Sequence, residues 1–143
     1  MDSDDYMLCL NIATKAHKGQ FRKYSNLPYI VHPIAVASNF NNKKLKCAAI
    51  LHDVIEDTEI TEDELLSLGV PKDIVKLVVV MTHCKNETYA QYINRILNNP
   101  KAVLIKIADM SDNMLTAKDG QLKRYENFMP LLKRQKLINE SLH

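Results

Sequence analysis

One short stretch constrains the fold of this chain more than any other, because four ionisable side chains follow directly on an apolar run. The run, residues 47–51, consists largely of good helix formers, and it leads into His52-Asp53 and then into Glu56-Asp57. In a continuous helix, residues four positions apart share a face, so His52 would align with Glu56 and Asp53 with Asp57. The sequence therefore predicts a helix that carries a histidine and three carboxylates out of a hydrophobic segment.

Two interpretations of this cluster are open. Burying several carboxylates is costly unless something neutralises them, and a divalent cation does so directly. The alternative is the solvated end of an ordinary helix, because His-Asp pairs are common. For His52-Asp53 alone the solvated helix end is the better interpretation. The second acidic pair and the apolar run before it favour a metal site.

Length and composition indicate one globular domain spanning residues 1–143. A chain of this length can bury a core without disulfides, and a composition of 46% hydrophobic and 25% charged residues is neither disordered nor membrane-like. A net charge of +2 gives no general attraction to nucleic acid or to an anionic membrane. Three separated cysteines without a CxxC pair indicate reduced thiols, which is typical of a cytoplasmic protein.

The hydrophobic pattern predicts a series of helices. In chain order they cover residues 3–17, 33–40, 45–56, 61–69, 71–82, 88–97, 101–115 and 121–138. Thr61 with Glu64 predicts a capping box, Gly19 and Gly69 mark helix ends, and His32 is expected at or beside the N-cap of the second helix. Residues 74–80 and 103–108 are rich in β-branched side chains, so each could instead be a buried parallel strand. Periodicity alone does not decide between helix and strand in such short apolar runs.

Three further places carry side chains capable of chemistry. His32 is fixed between apolar residues and a proline, Asp109 follows an apolar run with Asn113 four positions later, and Arg22-Lys23 lies in a predicted loop. Each has an ordinary alternative: a capping or surface histidine, the polar edge of an amphipathic helix, and solvated surface charge. Their order along the chain carries more weight than any one of them.

That order resembles the HD-domain hydrolases of the RelA/SpoT family. The matching segments are Ala16-His17-Lys18-Gly19-Gln20, Arg22-Lys23, Pro28-Tyr29-Ile30-Val31-His32-Pro33, His52-Asp53-Val54-Ile55-Glu56-Asp57-Thr58, and Ile105-Lys106-Ile107-Ala108-Asp109 with Asn113. The likeness is closest to the small stand-alone hydrolases that remove the 3′-pyrophosphate from (p)ppGpp. It implies an all-α, HD-domain helical bundle, and it decides the two ambiguous stretches in favour of helix.

The resemblance also implies a site. The implied ligands of a single divalent cation, usually Mn²⁺, are His32, His52, Asp53 and Asp109. Ligand chemistry alone does not choose among Mn²⁺, Fe²⁺ and Zn²⁺. Glu56 and Asp57 correspond to the acids that position and deprotonate the attacking water. The implied substrate contacts are Arg22 and Lys23 on the pyrophosphate, and Asn113 and Thr116 on the nucleotide.

The expected function is therefore metal-dependent hydrolysis of (p)ppGpp to GDP or GTP and pyrophosphate, with this guanosine nucleotide as the partner. One departure bears on the substrate, because Met110-Ser111-Asp112 stands where the family usually has Arg-Leu-His, which makes this edge more acidic. The alternatives are an HD phosphohydrolase acting on another phosphorylated nucleotide and a non-catalytic nucleotide-binding regulatory module. The presence of all four ligand positions and both acids argues against the regulatory module. No nucleic-acid or membrane partner is expected, and the sequence indicates no oligomeric state.

Overall fold

Helices form the regular secondary structure in the computed structural model, which describes residues 3–23 and 25–142. Within those ranges the helices are α1 (Ser3–Ala16), α2 (Val31–Ala37), α3 (Lys43–Leu51), α4 (Val54–Asp57), α5 (Glu62–Ser67), α6 (Lys72–Val80), α7 (Tyr89–Leu97), α8 (Pro100–Met114) and α9 (Asp119–Ser141). No strand occurs in the same ranges, where a single antiparallel bridge pairs Phe21 with Pro28. The all-α prediction is confirmed, and both β-branched stretches are helical, in α6 and α8.

The helices divide into two compact units, Met1–Thr82 and His83–His143. In the first unit, α3 packs against α1, α2 and α6, and α5 packs against α6. In the second unit, α8 packs against both α7 and α9. The expectation of a single domain over the whole chain stays a prediction, since two compact units can belong to one domain.

The apolar run of α3 is the centre of the first unit. Residues 47–51 are all fully buried, because three helices pack around them. Two alanines in this run, Ala48 and Ala49, present little side-chain bulk to the packed neighbours. The side chain of Asn42 caps the helix by accepting a 3.1 Å hydrogen bond from the Leu45 N–H. The cap at its start and the packing on its sides hold α3 in place, and they fix the position of His52 at its end.

The predicted continuous helix over residues 45–56 is wrong. α3 ends at Leu51, and α4 begins only at Val54. In a continuous helix the Ala49 carbonyl would accept from the amide four residues on, that of Asp53. Here it accepts instead from the His52 N–H at 3.3 Å, and the His52 ring nitrogen Nδ1 lies 2.6 Å from it. The histidine side chain therefore competes with the helical hydrogen bond and turns the chain.

The helix α2 also begins earlier than predicted, at Val31 rather than at Pro33. A tight turn leads into it, in which the N–H groups of Val31 and His32 donate to the carbonyls of Pro28 and Tyr29 at 3.2 and 2.9 Å. His32 therefore lies inside the first turn rather than at the cap. This placement buries its ring completely.

The predicted helix-end signals are confirmed elsewhere. Thr61 and Glu64 form the predicted capping box at the start of α5. Gly69 follows α5 with φ +97, and Gly19 follows α1 with φ +86, both in the left-handed region that favours glycine. A second capping box, formed by Thr88 and Gln91, was not predicted.

An ion pair anchors the start of α7 in the second unit. Arg95 Nη2 donates to Glu87 Oε1 at 2.7 Å, and the Cys84 N–H donates to the same oxygen at 2.9 Å. These donors lower the pKa of Glu87 to about 2.

Among the described residues, no helix combines the length and the apolar character that a membrane span requires.

Leu131 and Leu132 are neighbours on α9 with opposite exposure, and they provide a matched test of the packing. Leu132 is fully buried, whereas Leu131 is 45% exposed. Leu132→Ala should lower the free energy of unfolding by about 2–5 kcal/mol, because it removes buried methyl groups and leaves a cavity. Leu131→Ala should change it by about 0.5 kcal/mol or less. Urea denaturation followed by circular dichroism measures both, and equal losses would contradict the packing of α9.

Candidate active site

Three of the predicted metal ligands converge in the first unit. His32 comes from the first turn of α2, His52 from the end of α3, and Asp53 from the turn before α4. Asp53 Oδ2 lies 3.0 Å from His52 Nε2 and 3.8 Å from His32 Nε2. Both imidazoles are buried, and their centroids are 5.3 Å apart. Two histidines and one carboxylate thus face one another around a common point.

The hydrogen bonding of His52 fits a metal ligand. Its Nδ1 lies 2.6 Å from the Ala49 carbonyl, which can only accept, so Nδ1 carries a proton. In the neutral ring Nε2 then carries a lone pair, and that nitrogen faces the carboxylate of Asp53. A backbone carbonyl that fixes the tautomer in this way is the usual outer-sphere partner of a ligating histidine. The donor set therefore fits a divalent cation.

Tyr29 holds the carboxylate of Asp53, a role that the sequence analysis did not assign. The Tyr29 hydroxyl donates to Asp53 Oδ2. Its ring lies between two histidine rings, with centroids 4.9 Å from His17 and 5.7 Å from His32. The only sequence signal was the position of Tyr29 inside the segment that also supplies His32.

Asp109, the fourth predicted ligand, lies in the second unit on α8. It is 4% exposed, and both of its carboxylate oxygens accept hydrogen bonds. Lys106 Nζ donates to Oδ2 at 2.8 Å, and Asn113 Nδ2 donates to Oδ1 at 3.2 Å. Burial acts to lower the pKa of Lys106, yet the charge of Asp109 holds it well above its usual value. The role of Lys106 was missed, although the three-residue spacing on one helix face was available to predict it.

The two predicted catalytic acids, Glu56 and Asp57, both lie on α4 with exposed side chains. A pocket of about 440 Å³ opens beside them in the first unit. Its lining residues are Ala16, Gln20, Asp57, Thr58, Glu59 and Ile60. One of the two acids therefore borders a cavity, and both are accessible to a solute.

The predicted substrate contacts are divided between the units. Arg22 and Lys23 lie in a closed loop of the first unit, where the Arg22 N–H donates to the Leu27 carbonyl at 3.0 Å. Asn113 is on α8, and Thr116 follows that helix with its N–H donating to the Asn113 carbonyl at 3.2 Å. The roles of these four residues stay predictions.

Comparison with known proteins supplies the family. No protein-family model matches the chain. It is 37% identical over 119 residues to the guanosine-3′,5′-bis(diphosphate) 3′-pyrophosphohydrolase of Haemophilus influenzae. It is 35% identical over 120 residues to the bifunctional (p)ppGpp synthase/hydrolase SpoT of Escherichia coli. Each match covers 73% of this chain and 17% of the relative, so the chain spans about a sixth of the length of these curated relatives.

A solved structure is similar over nearly the whole chain. It is a metazoan ortholog of SpoT, described as hydrolysing ppGpp and playing a role in starvation responses. The TM-score is 0.71 at 27% identity, and the match covers 97% of this chain and 86% of that one.

The fold and the site together define the class of protein: it is an all-α protein in which buried histidines and an aspartate form a candidate metal centre. The comparisons then define the family within that class. The chain belongs to the RelA/SpoT family, as its motifs predicted.

Proposed function

We propose that this protein is a metal-dependent phosphohydrolase that removes the 3′-pyrophosphate from (p)ppGpp, giving GDP or GTP and pyrophosphate. The observation that carries the proposal is the cluster of His32, His52 and Asp53, which is followed directly by the exposed acids of α4. The substrate is supported by relatives named as 3′-pyrophosphohydrolases and by the ppGpp-hydrolysing metazoan ortholog. A guanosine nucleotide is accordingly the proposed partner.

We propose further that Asp109 completes the ligand set begun by His32, His52 and Asp53. Two imidazoles and two carboxylates form a mixed nitrogen and oxygen set, which suits Mn²⁺ as well as Fe²⁺ and Zn²⁺. Mn²⁺ is the ion we propose, because it is usual in the family that the chain resembles. The hydrogen bonds that hold the carboxylate of Asp109 are of the kind that orient a ligating group.

The remaining residues have distinct proposed tasks. A divalent cation supplies Lewis acidity, which makes water more acidic and offsets phosphate charge. Glu56 is exposed one turn beyond the ligand-bearing turn, so its carboxylate can accept the proton of the attacking water. Asp57 orients that water from the wall of the pocket. Arg22 and Lys23 pair with the pyrophosphate, and the nucleotide contacts are Asn113 and Thr116.

Two broader features complete the proposal. Residues 1–143 form one HD-type domain, as the family resemblance implies. The thiols of Cys9, Cys47 and Cys84 support a reducing, cytoplasmic setting.

The test is turnover of ppGpp by the purified chain in the presence of Mn²⁺, with products separated by anion-exchange chromatography. We expect GDP and pyrophosphate in equal amounts, and we expect EDTA to stop the reaction. A metal-loaded, folded protein that leaves ppGpp intact would overturn the proposed function.

Lys23→Ala tests the proposed contact with the pyrophosphate. Removing an ammonium that pairs with a phosphate should raise the KM for ppGpp about tenfold, equivalent to about 1.4 kcal/mol, with metal content unchanged. The difference should shrink at high ionic strength, because Lys23 is exposed and its charge is screened. Lys15→Ala, which removes an exposed lysine from α1, is the matched control. Unchanged KM and kcat in Lys23→Ala would exclude the contact.

A further inference from the structure

We infer that Gln20 is a positioning residue that fixes the acidic turn Glu56-Asp57, and that His17 holds the Gln20 side chain in the orientation this requires. The inference deepens the proposed function and rests on it for the catalytic role of the two acids. The hydrogen-bond geometry on which it stands lies entirely within the first unit.

A single side chain connects the loop after α1 to the end of α4. The Gln20 amide nitrogen Nε2 donates to the Asp57 carbonyl at 2.8 Å, across 37 positions of sequence. The amide oxygen Oε1 of Gln20 lies 2.8 Å from His17 Nδ1. Because that oxygen can only accept, His17 Nδ1 is the protonated nitrogen and donates to it. The pair of bonds therefore determines which end of the amide faces Asp57.

The His17 ring is itself held firmly. It is 2% exposed, and it packs against the Tyr29 ring. Burial lowers the pKa of His17, which favours a neutral ring with one donor nitrogen. Its other nitrogen, Nε2, is buried and has no hydrogen-bond partner within the described residues. The hydrogen bonding of this ring is thus directed at Gln20.

A donor from outside α4 adds to the stability of this short helix. It spans only Val54–Asp57, and a helix of one turn is too short to be stable by itself. The last carbonyls of a helix receive no hydrogen bond from within the helix, so water or an outside donor must satisfy them. Gln20 supplies such a donor to Asp57, at the position next to the proposed base Glu56.

Gln20 also couples this turn to the other parts of the site. Its backbone carbonyl accepts from the Tyr29 N–H at 2.8 Å, and the Tyr29 hydroxyl donates to Asp53. Two positions later the chain reaches Arg22-Lys23, the proposed pyrophosphate contacts. One residue thus sets the register between the acids, a proposed ligand and the basic loop. Its loss should change catalysis rather than cation binding.

Two substitutions separate this role from ordinary packing. Gln20→Glu keeps the length of the side chain and the acceptor for His17, but it cannot donate to the Asp57 carbonyl. Gln20→Met removes both bonds without adding charge. Both should lower kcat for ppGpp roughly 10- to 100-fold, with KM and Mn²⁺ content unchanged. Gln121→Glu in the second unit, where the amide donates to the Tyr125 hydroxyl at 3.1 Å, is the matched control and should keep the wild-type kcat.

Hydrogen–deuterium exchange provides a readout that does not depend on activity. The amides of Asp57 and Thr58 donate to the carbonyls of Asp53 and Val54 at 2.9 and 3.2 Å, and they should exchange faster in Gln20→Met. If exchange is faster in Gln20→Met but the wild-type protein does not hydrolyse ppGpp, the positioning contact is supported and the proposed function is overturned. Wild-type kcat in both Gln20 variants, unchanged exchange at α4, or a rise in KM with constant kcat would each overturn the inference.

Discussion

Asp109→Ala should abolish tight binding of a divalent cation, and hydrolysis of ppGpp with it. The substitution removes one of the four proposed ligands and leaves fewer donors to offset the loss of the ion's hydration. It also leaves the buried Lys106 without the carboxylate that accepts from it at 2.8 Å. Breaking a buried pair in this way costs about 3–5 kcal/mol, so the stability of the variant should fall as well.

A second variant separates lost binding from lost folding. In the double variant Asp109→Ala, Lys106→Met, no ammonium is left buried without a counter-charge, so circular dichroism should show a folded helical protein. Elemental analysis should still find it free of tightly bound metal. Asp112→Ala is the matched control on the same helix and should retain one ion per chain. Undiminished metal content in a folded Asp109 variant would exclude Asp109 as a ligand.

Glu56→Ala should separate binding from chemistry. Glu56 is exposed on α4 and is not among the proposed ligands, so its loss should leave the metal content at the wild-type value. If its carboxylate accepts the proton of the attacking water, kcat should fall by roughly 10²–10⁴-fold. Glu62→Ala, which removes another exposed carboxylate of the first unit, is the matched control. Loss of metal in parallel with rate would instead assign Glu56 to the coordination shell.

Helices with clear end signals could be predicted from the sequence. The capping box at Thr61 and the glycines at positions 19 and 69 mark ends by local chemistry, and they do so in the structure as well. The break between α3 and α4 could not be predicted in the same way, because residues 45–51 are largely good helix formers. The interruption depends on the His52 ring reaching the Ala49 carbonyl, and a choice between side-chain and backbone partners leaves no periodic signal.

The order of the motifs predicts which residues belong to the site, but not how they are held. Tyr29 and Asp53 are 24 positions apart, so their hydrogen bond is a property of the fold rather than of a local pattern. The contact of Gln20 with Asp57 is of the same kind. The pairing of Lys106 with Asp109 is different, since a spacing of three residues on a helix was visible in the sequence.

The location of a bound Mn²⁺ ion is the most direct test of the proposed ligand set. Crystals of the full chain grown with Mn²⁺ would show the ion as a peak in an anomalous difference map. We expect one peak per chain, bonded to the imidazoles of His32 and His52 and to the carboxylates of Asp53 and Asp109. A peak bonded to the first three residues but not to Asp109, or one located elsewhere in the chain, would contradict it.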